Sequence, residues 1–153
     1  MIKRFKVDAG FTPCPVNEGD ELYPNGIFEF NITGILEHIQ RNPTDVALVE
    51  ITVDDFFHGF SSLNESQVEL ADMSKPVLLA EISPGNFNLI DGHHRVEKAR
   101  RSGVFTLRAH KFTAVQHLRF LTSERAYLSY IEYWNGKVKQ LRQVSRAEHC
   151  PNG

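Results

Sequence analysis

Residues 86–103 constrain the fold most, because they predict a strand, a tight turn and a helix in direct succession. Residues 87–90 supply the β-forming side chains of the strand. Asp91-Gly92 is a turn dipeptide, since glycine accepts a positive φ and aspartate bonds nearby backbone N–H groups. A helix is predicted from His93 onward, and Gly103 stands where a helix-terminating glycine belongs.

The beginning of this helix predicts an anion site. Its first turn has N–H groups without partners inside the helix, and it carries the positive end of the helix dipole. Gly92 lets a ligand approach the backbone closely, and His93, His94 and Arg95 add side-chain donors. The alternative is a plain turn in which His94 and Arg95 are solvated or paired with carboxylates.

Composition favours one soluble globular domain. The 153 residues are 41% hydrophobic and 24% charged, with a net charge of −2. This charge gives no global attraction to nucleic acid, although residues 98–111 contain a local basic cluster. No apolar run reaches membrane-spanning length, and the start is too short and polar for a signal peptide. We expect a cytoplasmic protein with free Cys14 and Cys150; a disulfide between them is the alternative.

Residues 1–45 are predicted to be an N-terminal extension that packs on the main domain. Their proline, glycine and asparagine residues indicate an irregular arm, with short strands at 2–7 and 27–30. A helix capped by Asn31 or Thr33 follows.

Residues 46–112 are predicted to be the core of the domain, of the α+β class. Residues 46–53 are apolar almost throughout, which is typical of a central strand covered on both faces. A helix of roughly ten residues, capped by Asn64, comes next. Two further strands, at 77–82 and 104–112, complete a small mixed β-sheet with flanking helices.

Residues 113–147 are predicted to form a C-terminal helical extension in two pieces, and Asn135-Gly136 either ends or kinks the helix. The aromatic stripe from Tyr127 to Trp134 is expected in the core or on a dimer face. The tail from Ser145 is expected to fray.

One motif and the order of the elements resemble a known superfamily. The motif is Ile90-Asp-Gly-His-His-Arg95, followed by an alanine-containing helix that ends at Gly103 and preceded by a strand after Pro76. It is similar to the ParB N-terminal domain and sulfiredoxin superfamily over residues 46–112. The resemblance implies a ParB/sulfiredoxin-like sheet with flanking helices.

The resemblance also implies a nucleotide ligand, ATP, ADP or CTP with Mg²⁺, whose phosphates lie at the helix N-terminus. The residues that it implicates there are Gly92, His93, His94 and Arg95. His94 and Arg95 match the histidine–arginine pair that holds ATP phosphate in sulfiredoxins. Ser62 and Ser66, one helical turn apart, are further nucleotide contacts by the same comparison. Plain N-capping is the alternative for both serines.

Two departures from the superfamily narrow the function. The catalytic cysteine of sulfiredoxins falls on His93, so peroxiredoxin repair is not expected. No helix-turn-helix follows Phe112, and too few residues remain for the DNA-binding half of a partition protein.

Asp54 and Asp55 follow the predicted strand at 46–53 and are the candidates for a catalytic base or a Mg²⁺ ligand beside the phosphates. The alternative is a polar loop in which they cap or turn the chain. His93 and His94 are not expected to share a metal ion, because adjacent helical residues point about 100° apart.

The leading hypothesis is therefore a protein that binds a nucleotide or another phosphorylated ligand at residues 92–95, as a phosphotransferase or nucleotide hydrolase. One alternative is a nucleic-acid-binding protein or ParB-like nuclease that uses the basic cluster; DNA is the weaker expectation. Another is a non-catalytic interaction module that forms a homodimer through its C-terminal helices.

Overall fold

A computed structural model describes the chain over residues 2–25, 28–56 and 63–149. The strands are β1 (Leu22–Asn25), β2 (Phe28–Asn31), β3 (Ala47–Thr52), β4 (Val77–Ser83), β5 (Asn86–Asp91) and β6 (Thr106–Phe112). The helices are α1 (Ile32–Arg41), α2 (Glu65–Leu70), α3 (His93–Arg101), α4 (Ala114–His117) and α5 (Glu124–His149). One 3₁₀ turn, Val53–Phe56, follows β3 and another, Leu118–Phe120, follows α4.

The strands form two sheets, which confirms the predicted α+β class with a small mixed sheet. The main sheet has the order β3-β6-β4-β5, in which β4 and β6 run parallel and the two outer pairs run antiparallel. Strands β1 and β2 form a separate antiparallel pair.

The central strand β4 divides the core into two layers, because successive side chains of a strand point to opposite faces. Val77 and Leu79 pack on the α3 side, with Val96 and Ala99 of that helix. The alternate residues, including Leu78, pack on the other side, against β2, α1, α4 and α5. Both faces of the main sheet are thus covered over β4, and β5 delivers α3 directly onto one of them.

The prediction of a central strand at 46–53 was wrong. Strand β3 lies at an edge of the sheet and pairs only with β6 among the described residues. Leu48 is 49% exposed, since the helices on its face do not extend over this edge. Apolar content alone does not reveal which strand is central; here it is β4.

Four other local predictions also need correction. Residues 2–7 form no strand; this arm is held by Asn135, whose Oδ1 accepts from the Phe5 N–H (2.7 Å) and whose Nδ2 donates to the Phe5 carbonyl (2.8 Å). Helix α5 consequently runs unbroken through Asn135-Gly136, and it continues past the predicted start of fraying at Ser145. Helix α2 is also shorter than predicted, with six residues.

The predicted caps and aromatic core are confirmed. The Asn31 Oδ1 accepts from the Gly34 N–H (3.0 Å) at the start of α1, and Asn64 caps α2 in the same way. Tyr127, Tyr130 and Trp134 are buried in the core.

Candidate functional site

The N-terminus of α3 is shaped by Gly92. This residue has φ 103°, and its carbonyl accepts from the Val96 N–H (3.0 Å). A Cβ atom on Gly92 would lie 2.5 Å from the Val77 Cγ1 of β4, so both the turn and close packing on the sheet require glycine here. Gly92, the N-cap residue, has no side chain that could cap this end of α3, and the backbone N–H groups of His94 and Arg95 have no bonded acceptor among the described residues.

Arg95 forms hydrogen bonds to several segments around the same turn. Its Nη1 donates to the carbonyls of Pro76 and Lys75 (3.3 Å to the latter), and its Nη2 donates to the Asp91 Oδ2 (3.1 Å). The side chain is only 17% exposed. Arg95 therefore links the beginning of β4, the end of β5 and α3. Its ion pair with Asp91 agrees with the alternative that the sequence left open, in which Arg95 is paired with a carboxylate. Its Nε–H and one Nη2–H have no bonded acceptor among the described residues.

His94 lies beside the beginning of α2. Its Nε2 is 3.4 Å from the Asn64 backbone nitrogen, which donates to it. Since Nε2 accepts, the proton of the neutral ring is on Nδ1. His94 thereby connects the N-terminal end of α3 to the cap of α2.

These groups line one depression of about 500 Å³, which we call the α3 depression. Gly92 lies at its base, and Leu36, Ile39 and Leu70 form an apolar wall. Its charged and titratable lining residues are Glu21, Lys75, Asp91, His94, Arg95 and His110. The predicted Gly92, His94 and Arg95 are thus brought together in one cavity.

Sequence reasoning missed Glu21, which lines the α3 depression from just before β1. Burial raises the pKa of the Glu21 carboxyl, Asp91 raises it further, and Arg95 and His94 oppose this. No local pattern singles out this acid, because its place depends on the packing of the N-terminal extension against the distant turn before α3.

Lys75 and His110 were also not predicted as site residues. Lys75 is exposed, and it supplies a positive charge to the depression without being committed to an ion pair. Burial lowers the pKa of the His110 imidazole, as does the charge of Arg108, so this ring is neutral near pH 7. The His110 Nδ1 is buried and has no hydrogen-bond partner among the described residues.

His93 points away from His94 into a second depression of about 330 Å³, which we call the β5 depression. Its ring stacks on Tyr23, with ring centroids 5.3 Å apart. Burial lowers the pKa of His93, an effect that Asp91 opposes and His94 reinforces. The predicted phosphate contacts therefore divide between two cavities. Over the described ranges, no three His, Cys, Asp or Glu side chains are grouped to hold a metal ion.

The structure does not bring Asp54 and Asp55 to the predicted phosphate site. Both lie in the exposed 3₁₀ turn after β3, and neither lines the α3 depression. Asp55 lines the β5 depression instead. The reason is topological: β3 is an edge strand, separated from the β4–β5 corner by β6.

Ser66 is engaged in the cap of α2. Its hydroxyl donates to the Asn64 Oδ1 (2.6 Å), and Ser66 does not line the α3 depression. This agrees with the capping alternative. Ser62 and Cys150 lie outside the described residues.

The basic cluster at 98–111 is largely occupied by internal contacts. Glu97, whose side chain is 7% exposed, accepts from Arg100 (2.8 Å) and Arg101 (2.7 Å). Arg101 also pairs with Glu65. The remaining cations, Lys98, Arg108 and Lys111, contact main-chain carbonyls or, in the last case, the Phe87 ring.

The chain matches no protein-family model, no curated protein and no solved structure. Within the described ranges no helix is both long enough and apolar enough to cross a membrane. The fold and the site together define a small α+β domain with a cavity at a helix N-terminus, lined by charged side chains and an apolar wall.

Proposed function

We propose that the protein binds a phosphorylated small molecule, in the first instance a nucleotide, in the α3 depression. The observation that carries this proposal is the convergence of His94, Arg95 and Lys75 on the uncapped N-terminus of α3. Helix N–H groups and the helix dipole favour an anion at this position. Arg95 is already oriented by Asp91 and two carbonyls, so little side-chain freedom is lost when its remaining N–H groups bind phosphate.

The apolar wall supports a ligand larger than inorganic phosphate. Leu70 is 82% exposed and Leu36 is 43% exposed, although both line the cavity. A nucleobase or another apolar group on that wall would remove this surface from water. The resemblance of the 90–95 motif to ParB and sulfiredoxin proteins supports ATP, ADP or CTP as the first ligands to test.

We also propose that the protein acts on the bound ligand, by phosphotransfer or nucleotide hydrolysis. Glu21, rather than Asp54 or Asp55, is then the carboxylate placed to accept a proton from an attacking hydroxyl, because it lines the same cavity as Arg95. Glu21 and Asp91 would also be the protein oxygens available to Mg²⁺ held by the phosphates.

Thermal unfolding with ATP, ADP and CTP, each with and without Mg²⁺, tests the proposal. A ligand at about 100 times its Kd stabilises a protein by about 2.7 kcal/mol, which corresponds to a Tm increase of about 5–10 °C at this size. Lys75→Gln should reduce that increase because it removes a positive charge from the cavity. His94→Gln should reduce it because a flexible amide replaces an imidazole that Asn64 holds in place. Arg95→Ala is a poor test, since it also leaves three acceptors of the chain without their donor.

His93→Gln is the matched control, because it makes the same substitution one position earlier, at a residue that lines the β5 depression instead. It should retain the ligand-induced increase in Tm, whatever its own Tm. No increase with any of the nucleotides would contradict the proposal. Equal losses in His93→Gln and His94→Gln would contradict the assignment of the ligand to the α3 depression.

A further inference from the structure

The β5 depression differs in chemistry from the α3 depression. Three of its lining residues are aromatic, Tyr23, Phe56 and Phe87, and the His93 ring, which also lines it, stacks on Tyr23. Asp55 supplies the formal charge, and across the described residues no lysine or arginine lines the cavity. The cavity therefore combines aromatic rings, whose faces are negative at their centres, with a carboxylate.

We propose that the β5 depression binds a small organic cation of the alkylammonium class. An ammonium group over aromatic rings is attracted by the ring quadrupoles, and a nearby carboxylate adds a Coulombic attraction. The volume of about 330 Å³ is enough for a choline-sized cation with part of its hydration water. This site does not depend on nucleotide binding in the α3 depression.

The chain itself shows that one of these rings accepts an ammonium group. The Lys111 Nζ lies 4.3 Å from the centroid of the Phe87 ring. That distance is within the range of a cation–π contact. Lys111 comes from β6 and is not itself a lining residue of the cavity.

The surrounding charges favour a cation over an anion. Of the residues that begin α3, Gly92, His94 and Arg95 line the α3 depression, and His93 alone lines this one, so the N-terminus of α3 belongs mainly to the other cavity. Burial lowers the pKa of His93, which keeps its ring uncharged at neutral pH and avoids repulsion of a bound cation. Asn88 adds an amide oxygen that can accept from a hydroxyl or N–H of the ligand.

Titration of the full chain with choline, followed by amide NMR shifts, tests the proposal. Choline should shift the signals of residues around Phe87 and His93. Its neutral isostere, which carries a tert-butyl group in place of trimethylammonium, should bind several-fold more weakly, because it lacks the charge. Equal affinity for the two compounds, or no shift with choline, would overturn the proposal.

Two exposed aspartates provide a matched pair of variants. Asp55→Asn should weaken choline binding about five-fold, the equivalent of about 1 kcal/mol for an exposed charge pair. Asp54→Asn, in the same turn but outside the lining, should bind choline as the wild type does. The same affinity in both variants would count against the site.

Lys111→Met tests whether the cavity prefers a positively charged ligand. Methionine retains the packing on Phe87 but removes a positive charge near the cavity, so choline should bind more tightly. Unchanged or weaker binding would show that the cavity does not select for cations. Asp55 and Lys111 are not core residues, so neither test depends on a variant that fails to fold.

Discussion

His117 makes the stability of the fold dependent on pH. Its side chain is fully buried, and its Nε2 is 2.6 Å from the Glu81 carbonyl, to which Nε2–H donates. The Tyr130 hydroxyl donates to the same carbonyl (2.7 Å), and the Tyr130 and Phe30 rings pack edge-on against the imidazole. The His117 Nδ1 has no partner among the described residues, so a proton added there would be buried without an acceptor.

Burial lowers the pKa of His117 from 6.5 to about 4, although hydrogen bonding to the Glu81 carbonyl opposes the shift. The folded protein therefore favours the neutral ring more than the unfolded chain does. The stability that this provides is fully present above pH 6.5 and is lost as the pH falls through 6.5 towards about 4. Linkage between these two pKa values gives a loss of about 2 kcal/mol between about pH 7 and about pH 5.

Urea unfolding of the wild type and His117→Gln at both pH values measures this loss. Glutamine retains an N–H that can reach the Glu81 carbonyl, but it does not titrate. The free energy of unfolding should fall by about 2 kcal/mol more in the wild type than in the variant. His93 and His110 titrate in both proteins, so their contributions cancel in this comparison. An equal fall in the two proteins would refute the assignment to His117.

Two further substitutions test the corner around α3. Gly92→Ala should lower the free energy of unfolding by about 3 kcal/mol, because alanine is strained at a positive φ and its Cβ would overlap Val77. Adding Val77→Ala in the same chain should recover part of this loss, as measured by chemical denaturation. If the effects of the two substitutions simply add, the contact between them is contradicted. Glu97→Gln should lower the free energy of unfolding by about 1 kcal/mol at about pH 7, because Arg100 and then Arg101 lower the pKa of Glu97. The loss is no larger because both arginines are partly exposed, which weakens their ion pairs with Glu97. That difference should shrink as the pH falls below 4.5, the ordinary pKa of the carboxyl, and through its lowered pKa in the folded protein; a constant difference would contradict it.

The parts of the fold that the sequence predicted well are those fixed by neighbouring residues. The turn at Asp91-Gly92, the cap at Asn31 and the length of α3 all depend on contacts within a few positions. The same locality explains why the α3 N-terminus was predicted as a site before its surroundings were known.

The errors arise where distant contacts decide the outcome. Strand β3 has the composition of a central strand, yet its place at the edge depends on the order of pairing with β6 and β4. The helix runs through Gly136 at a cost of about 1 kcal/mol, which the tertiary bonds of Asn135 to Phe5 help to offset. Likewise, nothing adjacent to Glu21 in sequence indicates that it lines the same cavity as Arg95. Nothing adjacent to Asp55 indicates that it lies outside that cavity.

The attachment of the arm to α5 has a consequence for the order of folding. The bonds between Phe5 and Asn135 join residues 130 positions apart, so they form only after a very large loop has closed. Glu21 and Tyr23 lie on the chain that leaves this arm, and each lines one of the two depressions. We therefore expect a refolding chain to recover its helices and main sheet first, and to recover both cavities in a later, shared kinetic phase.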